Sequence, residues 1–137
     1  MRKELTDEWE RVGIQEDMEF AILTDEITKA WTDLSIKDYK KLKNLKKESL
    51  RDNMTNLELV LNMLAEVTTK EVSKKENPAD FPESLIVARK GGSVAGNARR
   101  EIESMTGRPV VSDENFLDNP EVLKKKKRKL MGLKVNI

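Results

Sequence analysis

Phe81-Pro-Glu-Ser-Leu-Ile-Val-Ala-Arg-Lys-Gly-Gly-Ser-Val-Ala-Gly-Asn-Ala-Arg-Arg-Glu-Ile-Glu-Ser-Met-Thr-Gly107, followed by Arg108-Pro-Val-Val-Ser112, is the stretch that decides the fold of this 137-residue chain. It reads as one long helix over 81–106 with a glycine-rich waist. Asp80 can cap its start, with Glu83 three residues on to complete a capping box. Pro82 falls in the first turn, where a missing N–H costs little. Leu85, Ala88, Gly92, Ala95, Ile102 and Met105 recur at helical steps of three and four. Gly107 supplies a left-handed cap, and Pro109 forbids continuation.

The waist needs a physical reason, because each glycine inside a helix costs about 1 kcal/mol relative to alanine. Gly92, Ala95 and Gly96 share one face, and stripping side chains from it lets another backbone come close. That backbone could belong to a helix of the same chain, a helix of a second copy, or a nucleic-acid strand. Arg89, Lys90, Arg99 and Arg100 bracket the waist and make it a candidate nucleic-acid contact. Gly91 and Gly96 have the end spacing of a Walker A loop, but Asn97 and Ala98 follow where Lys and Ser/Thr are needed, so a phosphate loop is excluded. No Gly-x-Gly-x-x-Gly occurs.

Working outward, residues 2–11 make a short charged helix with Leu5, Trp9 and Val12 on one side, broken by Gly13. A second helix spans about Asp17 to Asp33 on a stripe of Phe20, Leu23, Ile27, Ala30, Trp31 and Leu34. The two tryptophans, among few aromatics, are expected in the core. Ser35 caps a third helix whose inner face is Ile36, Tyr39, Leu42 and Leu45. Lys37, Lys40, Lys41, Lys43, Lys46 and Lys47 spread around its remaining surface, as a solvated face or as contacts to phosphates. Asp38-Tyr-Lys40 is the one Asp/Glu-x-Lys triplet singled out as nuclease-like, but it sits on a helix without a metal-binding partner. Arg51, Asp52 and Asn53 are candidates for a polar cluster at a corner. Thr55-Asn-Leu-Glu58 is a capping box opening the main core helix, with Leu57, Val60, Leu61, Leu64, Ala65, Val67 and Val72 as its expected apolar face. Residues 74–80 read as a hinge. Asn119-Pro120 can start a further short helix, and Lys124, Lys125, Lys126, Lys127, Arg128 and Lys129 form a basic tail, solvated or in contact with nucleic acid or an acidic surface.

Hydrophobic and charged residues each make up 37% of the chain, a thin apolar supply that suits helices with one buried face each. Cysteine and histidine are both absent, which excludes disulfides, thiol chemistry, imidazole catalysis and the usual zinc sites. No cofactor or metal is expected. No signal peptide or membrane span is evident, and the chain reads as cytoplasmic. The net charge of +1 hides an asymmetry: residues 88–137 carry twelve Lys/Arg against six Asp/Glu, and residues 1–87 are net acidic. A basic half suits DNA or an acidic protein.

Four segments in fixed order carry a family resemblance: Phe20 to Trp31, Leu45 to Thr55, Leu57 to Glu66, and Ala88 to Arg99, with Thr106-Gly107 and Val110 to Ser112 beyond. Together they resemble the C-terminal half of the bacterial DNA-damage-inducible protein D (DinD) family, related to phage antirepressors of the BRO type. The resemblance covers about residues 2–115. It implies a setting in the SOS DNA-damage response or prophage regulation, and DNA or a recombinase–DNA filament as partner. It supplies no catalytic residues. Family members usually carry an N-terminal BRO-type domain, and nothing here corresponds to it; the chain resembles the second half alone, as a separate gene product or as a fragment, and such a domain could stand on another chain. The 124–129 run lies past the resemblance.

The sequence is therefore expected to fold as an all-α bundle of four to five helices. Residues 1–119 would form one domain, comprising a bundle over 2–73, the hinge and the long helix, with 120–137 as the tail. The leading functional expectation is a non-enzymatic regulatory binding protein that contacts DNA through Arg89, Lys90, Arg99, Arg100 and the tail. The alternative is an antirepressor interaction module that forms a homodimer through Gly92, Ala95 and Gly96.

Overall fold

The structure, a computed structural model, describes residues 2–117. Its elements are α1 (Arg2–Arg11), α2 (Asp17–Thr32), α3 (Ile36–Leu42), a 3-10 turn (Arg51–Asn53), α4 (Asn56–Glu76) and α5 (Phe81–Thr106), with no strand among the described residues. The Pro120 helix start and the 124–129 run lie outside the described residues.

The helices begin and end where local chemistry dictates. The Asp80 carboxylate accepts the Glu83 N–H at 3.1 Å, and the Glu83 carboxylate reaches back to the Ala79 N–H at 2.6 Å. In α4 both halves of the capping box form: Thr55 Oγ1 accepts from Glu58 N–H, and Glu58 Oε1 accepts from Thr55 N–H. Ser35 caps α3 through the Asp38 N–H. Gly107 ends α5 in the left-handed region at φ 70°, where a Cβ would be strained.

α5 is the central element. It lies along α2 on one side and α4 on the other. The glycine waist is what allows both approaches. A Cβ on Gly92 would stand 2.5 Å from the Ala30 Cβ and 2.7 Å from the Ile27 carbonyl oxygen, and one on Gly96 would stand 2.7 Å from the Ala30 carbonyl oxygen. On the other side, a Cβ on Gly91 would meet the Thr69 backbone at 2.6 Å. Ala88 and Ala95 are fully buried between these contacts. The close partner of the waist is thus α2 and α4 of the same chain. The Gly92, Ala95 and Gly96 face is covered and cannot also serve as a contact to a second copy.

The apolar core gathers Leu5, Trp9, Leu23, Ile27, Trp31, Tyr39, Leu61 and Val110. Trp9 stacks on Phe20 and Trp31 meets Tyr39 edge-on, with ring centroids 6.0 and 6.2 Å apart. Both tryptophans are structural, as their helical spacing suggests.

Two expectations are corrected. The first concerns residues 74–80. α4 continues to Glu76, and a four-residue corner with buried Pro78 turns the chain into α5. Arg11 Nη1 donates to Asn77 Oδ1 at 3.1 Å and pins that corner to α1. With two long helices packed side by side across it, the segment is a tight connection and not a hinge.

The second concerns the face of α4. Leu57, Val60, Met63 and Leu64 are 36–59% exposed, while Glu58, Asn62, Glu66, Thr69 and Ser73 point inward beside Leu61 and Ala65. Each inward polar residue has a partner. Trp31 Nε1 donates to Asn62 Oδ1 at 3.3 Å, Ser73 Oγ donates to Glu8 Oε2 at 2.5 Å, and Thr69 Oγ1 donates to the Ala65 carbonyl at 2.8 Å. Glu58 and Glu66 are held by cations described below. Once hydrogen-bonded, such groups can be buried at little net cost, which leaves part of the apolar stripe facing out.

Among the described residues no helix is long and apolar enough to cross a membrane.

Candidate functional site

The four cations around the waist do not form a free basic surface. Arg99 is 8% exposed. Its Nε donates to the Trp31 carbonyl at 2.7 Å, Nη2 to Asp33 Oδ2 at 2.8 Å and Nη1 to Glu103 Oε1 at 2.9 Å. It closes the C-terminus of α2, where the last carbonyls attract a cation, and it locks α5 to that end. The nucleic-acid role expected for Arg99 is therefore replaced by a structural one. Arg89 pairs with Glu26 at 3.1 Å and Lys90 with Glu76 at 2.6 Å. Arg100 donates to Asn97 Oδ1 at 2.6 Å. These three side chains reach solvent, but two carry their own counterion.

α3 presents the opposite situation. Lys37 and Lys41 on the helix are exposed and Lys40 is half-buried, while Lys46 and Lys47, expected around the same helix, are exposed in the segment beyond its end at Leu42. Among the described residues none of the five makes an ion pair. The sixth lysine of the series, Lys43, is turned inward and has no exposed surface. Its Nζ donates to Glu58 Oε1 at 2.7 Å and to the Glu114 carbonyl at 2.6 Å, and stands 5.6 Å from the Tyr39 ring centre. The Tyr39 hydroxyl donates to the other Glu58 oxygen. Burial, reinforced by this hydrogen bond to a carboxylate, pushes the Tyr39 phenol far above its usual range.

This network anchors the segment after α5. Asn115 Nδ2 donates to the Lys43 carbonyl at 2.7 Å, and the Phe116 N–H donates to Asn53 Oδ1 at 2.9 Å. Earlier in the segment, the Val110 N–H donates to Glu103 Oε2 at 2.9 Å. Residues 110–117 thus run as a strap to the corner between α3 and the 3-10 turn. The lysine-rich sequence at 124–129 follows only a few residues beyond it. Charge is divided sharply at this point. Residues 1–117 carry 19 Lys/Arg against 23 Asp/Glu, and residues 118–137 carry seven against two. The basic character of the C-terminal half belongs almost wholly to its last twenty residues.

Lys43, Tyr39 and Glu58 were not singled out by the sequence as one cluster. The capping box marks Glu58, but nothing in the lysine series distinguishes Lys43 from its neighbours. For the nuclease-like triplet, Asp38 and Lys40 lie on either side of the buried Tyr39, and among the described residues no group of three or more acidic side chains is placed to hold a metal ion.

Compared with known proteins, the chain matches no family model, no curated protein and no solved structure.

Proposed function

We propose that this chain is a non-enzymatic binding protein for a polyanion, with DNA as the leading candidate, and that it uses the lysines of α3 and of the segment just after it together with the basic run at 124–129. The observation that carries this reading is the division of ion pairs. Of the waist cations, Arg99, Arg89 and Lys90 pair with carboxylates of the chain and Arg100 donates to the Asn97 amide, while Lys37, Lys40, Lys41, Lys46 and Lys47 make no ion pair among the described residues. Unpaired lysines on a short helix and just beyond it suit phosphates, which they contact without reading sequence. The run at 124–129 follows the strap closely in sequence, and two weak basic segments on one chain raise each other's effective concentration. The resemblance to the damage-inducible protein D family adds a setting in the damage response or in prophage regulation, with a recombinase–DNA filament as a further form of the same ligand.

A fluorescence-anisotropy titration with single- and double-stranded DNA at low and moderate salt tests this reading. Each phosphate contact contributes roughly 0.9 to the slope of log K against log salt on duplex DNA. Replacing Lys37, Lys40 and Lys41 by alanine, or ending the chain after Asn119, is expected to weaken binding and flatten that slope. Replacing Arg89, Lys90 and Arg100 by alanine is expected to change it little. The reading fails if the intact chain does not bind at low salt, or if only the waist variant loses affinity.

A second reading, an interaction module that docks another protein, is favoured by the outward apolar residues of α4, Leu57, Val60, Met63 and Leu64. It predicts salt-insensitive association that is lost when Val60 is replaced by lysine.

A further inference from the structure

Between Asn56 and Thr69 the only charged residues of α4 are Glu58 and Glu66. Both are buried, Glu58 against Lys43 and Glu66 against Arg51. The outward side of this stretch is built of Leu57, Val60, Met63 and Leu64, with Val67 and Thr68 half-buried beside them. About four turns of helix surface therefore carry no charge, in a chain whose residues are 37% charged. Contiguous apolar patches with polar rims mark interaction sites, and a charge-depleted centre is the usual make-up of a protein–protein interface.

The charges at the two ends of the stripe indicate what covers it. Leu64, Thr68, Glu71 and Lys75 follow one another at steps of four, three and four residues, so Glu71 and Lys75 continue the same side of the helix. Ahead of the other end stands Asp52, exposed in the 3-10 turn. Among the described residues neither Asp52 nor Lys75 makes an ion pair. Lys75 lies eleven residues beyond Leu64, and Asp52 eleven residues before Met63. An antiparallel copy of α4, related by a two-fold axis between Met63 and Leu64, lays stripe on stripe and sets Lys75 of each copy opposite Asp52 of the other. The same operation sets Glu71 opposite the first turn of the other α4, where unpaired N–H groups favour a carboxylate. The stripe itself offers nothing to a polyanion or to the basic run at 124–129, and it does not repel its own copy.

We propose that the outward face of α4 binds a second copy of this chain, as an antiparallel two-fold dimer. The proposal rests on the second reading, that this stripe docks a protein, and it names the protein. Four side chains on one helix fall short of the roughly 800 Å² per partner of a standard interface, so the dimer is weak and forms at roughly 10–100 µM protein.

Sedimentation equilibrium on the full chain, over about 5 to 500 µM protein, tests this, and the dimer fraction is expected to rise across that range. Val60→Lys sets a charge against the facing copy and should weaken the dimer at least about tenfold. Asp52→Lys and Lys75→Asp each make both end contacts repulsive, so each variant alone should associate about fivefold more weakly at low salt. Mixed in equal amounts, these two variants regain both contacts, and their heterodimer should form as readily as the unaltered dimer. A mixture that associates no better than either variant alone overturns the proposal. So does a full chain that stays monomeric throughout the range; if Val60→Lys is then as stable as the original chain, only the second copy is ruled out and the docking reading stands. A Val60→Lys chain that cannot fold overturns that reading too, because the stripe would not face outward.

Discussion

Gly92 of α5 sits directly against Ala30 of α2, so closely that a Cβ on the glycine would stand 2.5 Å from the alanine Cβ. The Ile27 carbonyl oxygen, 2.7 Å from the same point, belongs to backbone and cannot rotate away. Gly92→Ala should therefore destabilise the protein even though alanine favours a helix by about 1 kcal/mol over glycine. Overpacking of this kind costs about 1–3 kcal/mol, and denaturant unfolding should show a net loss. A Gly92→Ala protein as stable as the original, or more stable, would mean that α2 and α5 are not held this closely.

Lys43 and Lys41 are two residues apart and differ completely in environment. Lys41→Met removes an exposed charge and should change stability by no more than about 0.5 kcal/mol. Lys43→Met leaves the Glu58 carboxylate buried without its cation, a change that typically costs about 3–5 kcal/mol. It also removes the donor to the Glu114 carbonyl, so the strap should become more sensitive to limited proteolysis. Matched urea melts and proteolysis of the two variants check this, and equal behaviour would contradict the buried position of Lys43.

The contrast marks where the sequence is legible. Helix ends are local: Asp80, Thr55 with Glu58, Ser35 and Gly107 act on residues three or four positions away, and all four cap as their spacing indicates. The waist told that something approaches α5, but three small residues do not say which backbone it is. The face of α4 was misread because periodicity counts apolar residues and cannot see that Glu58, Asn62, Glu66 and Ser73 have partners in distant elements. Arg99 looks like a surface cation beside Arg100, and only the position of the Trp31 carbonyl and Asp33 distinguishes the two.

Tyr39 is the only tyrosine in the chain, so phenolate absorbance reads this one group. Its folded pKa is raised by burial and by the hydrogen bond to Glu58. A raised folded pKa stabilises the native state fully below the unfolded value, near 10, and that contribution is lost as pH rises beyond it. The native protein should therefore show no phenolate signal at alkaline pH until helical circular dichroism is lost, and the two transitions should coincide. Tyr39→Phe should lose about 1–3 kcal/mol at neutral pH, because Glu58 loses a donor, and its stability should fall less steeply above pH ~10. A reversible phenolate titration near 10 in a fully helical protein would place Tyr39 at the surface.

Leu61 and Val60 decide between the two faces of α4. Leu61 is 3% exposed and belongs to the core, whereas its neighbour Val60 is 59% exposed. Leu61→Ala should cost about 2–5 kcal/mol through lost burial and the cavity it leaves. Val60→Lys should stay within about 0.5 kcal/mol, because nothing among the described residues packs over that position closely enough to exclude a charge. The same substitution would abolish any association that uses the outward stripe, so stability and self-association must be measured on one sample. Unchanged stability with unchanged association leaves the stripe as bare surface. Unchanged stability with lost association supports a docking face. A large loss of stability from Val60→Lys would reverse the orientation of α4, and with it the inward placement of Glu58 on which the strap anchor depends.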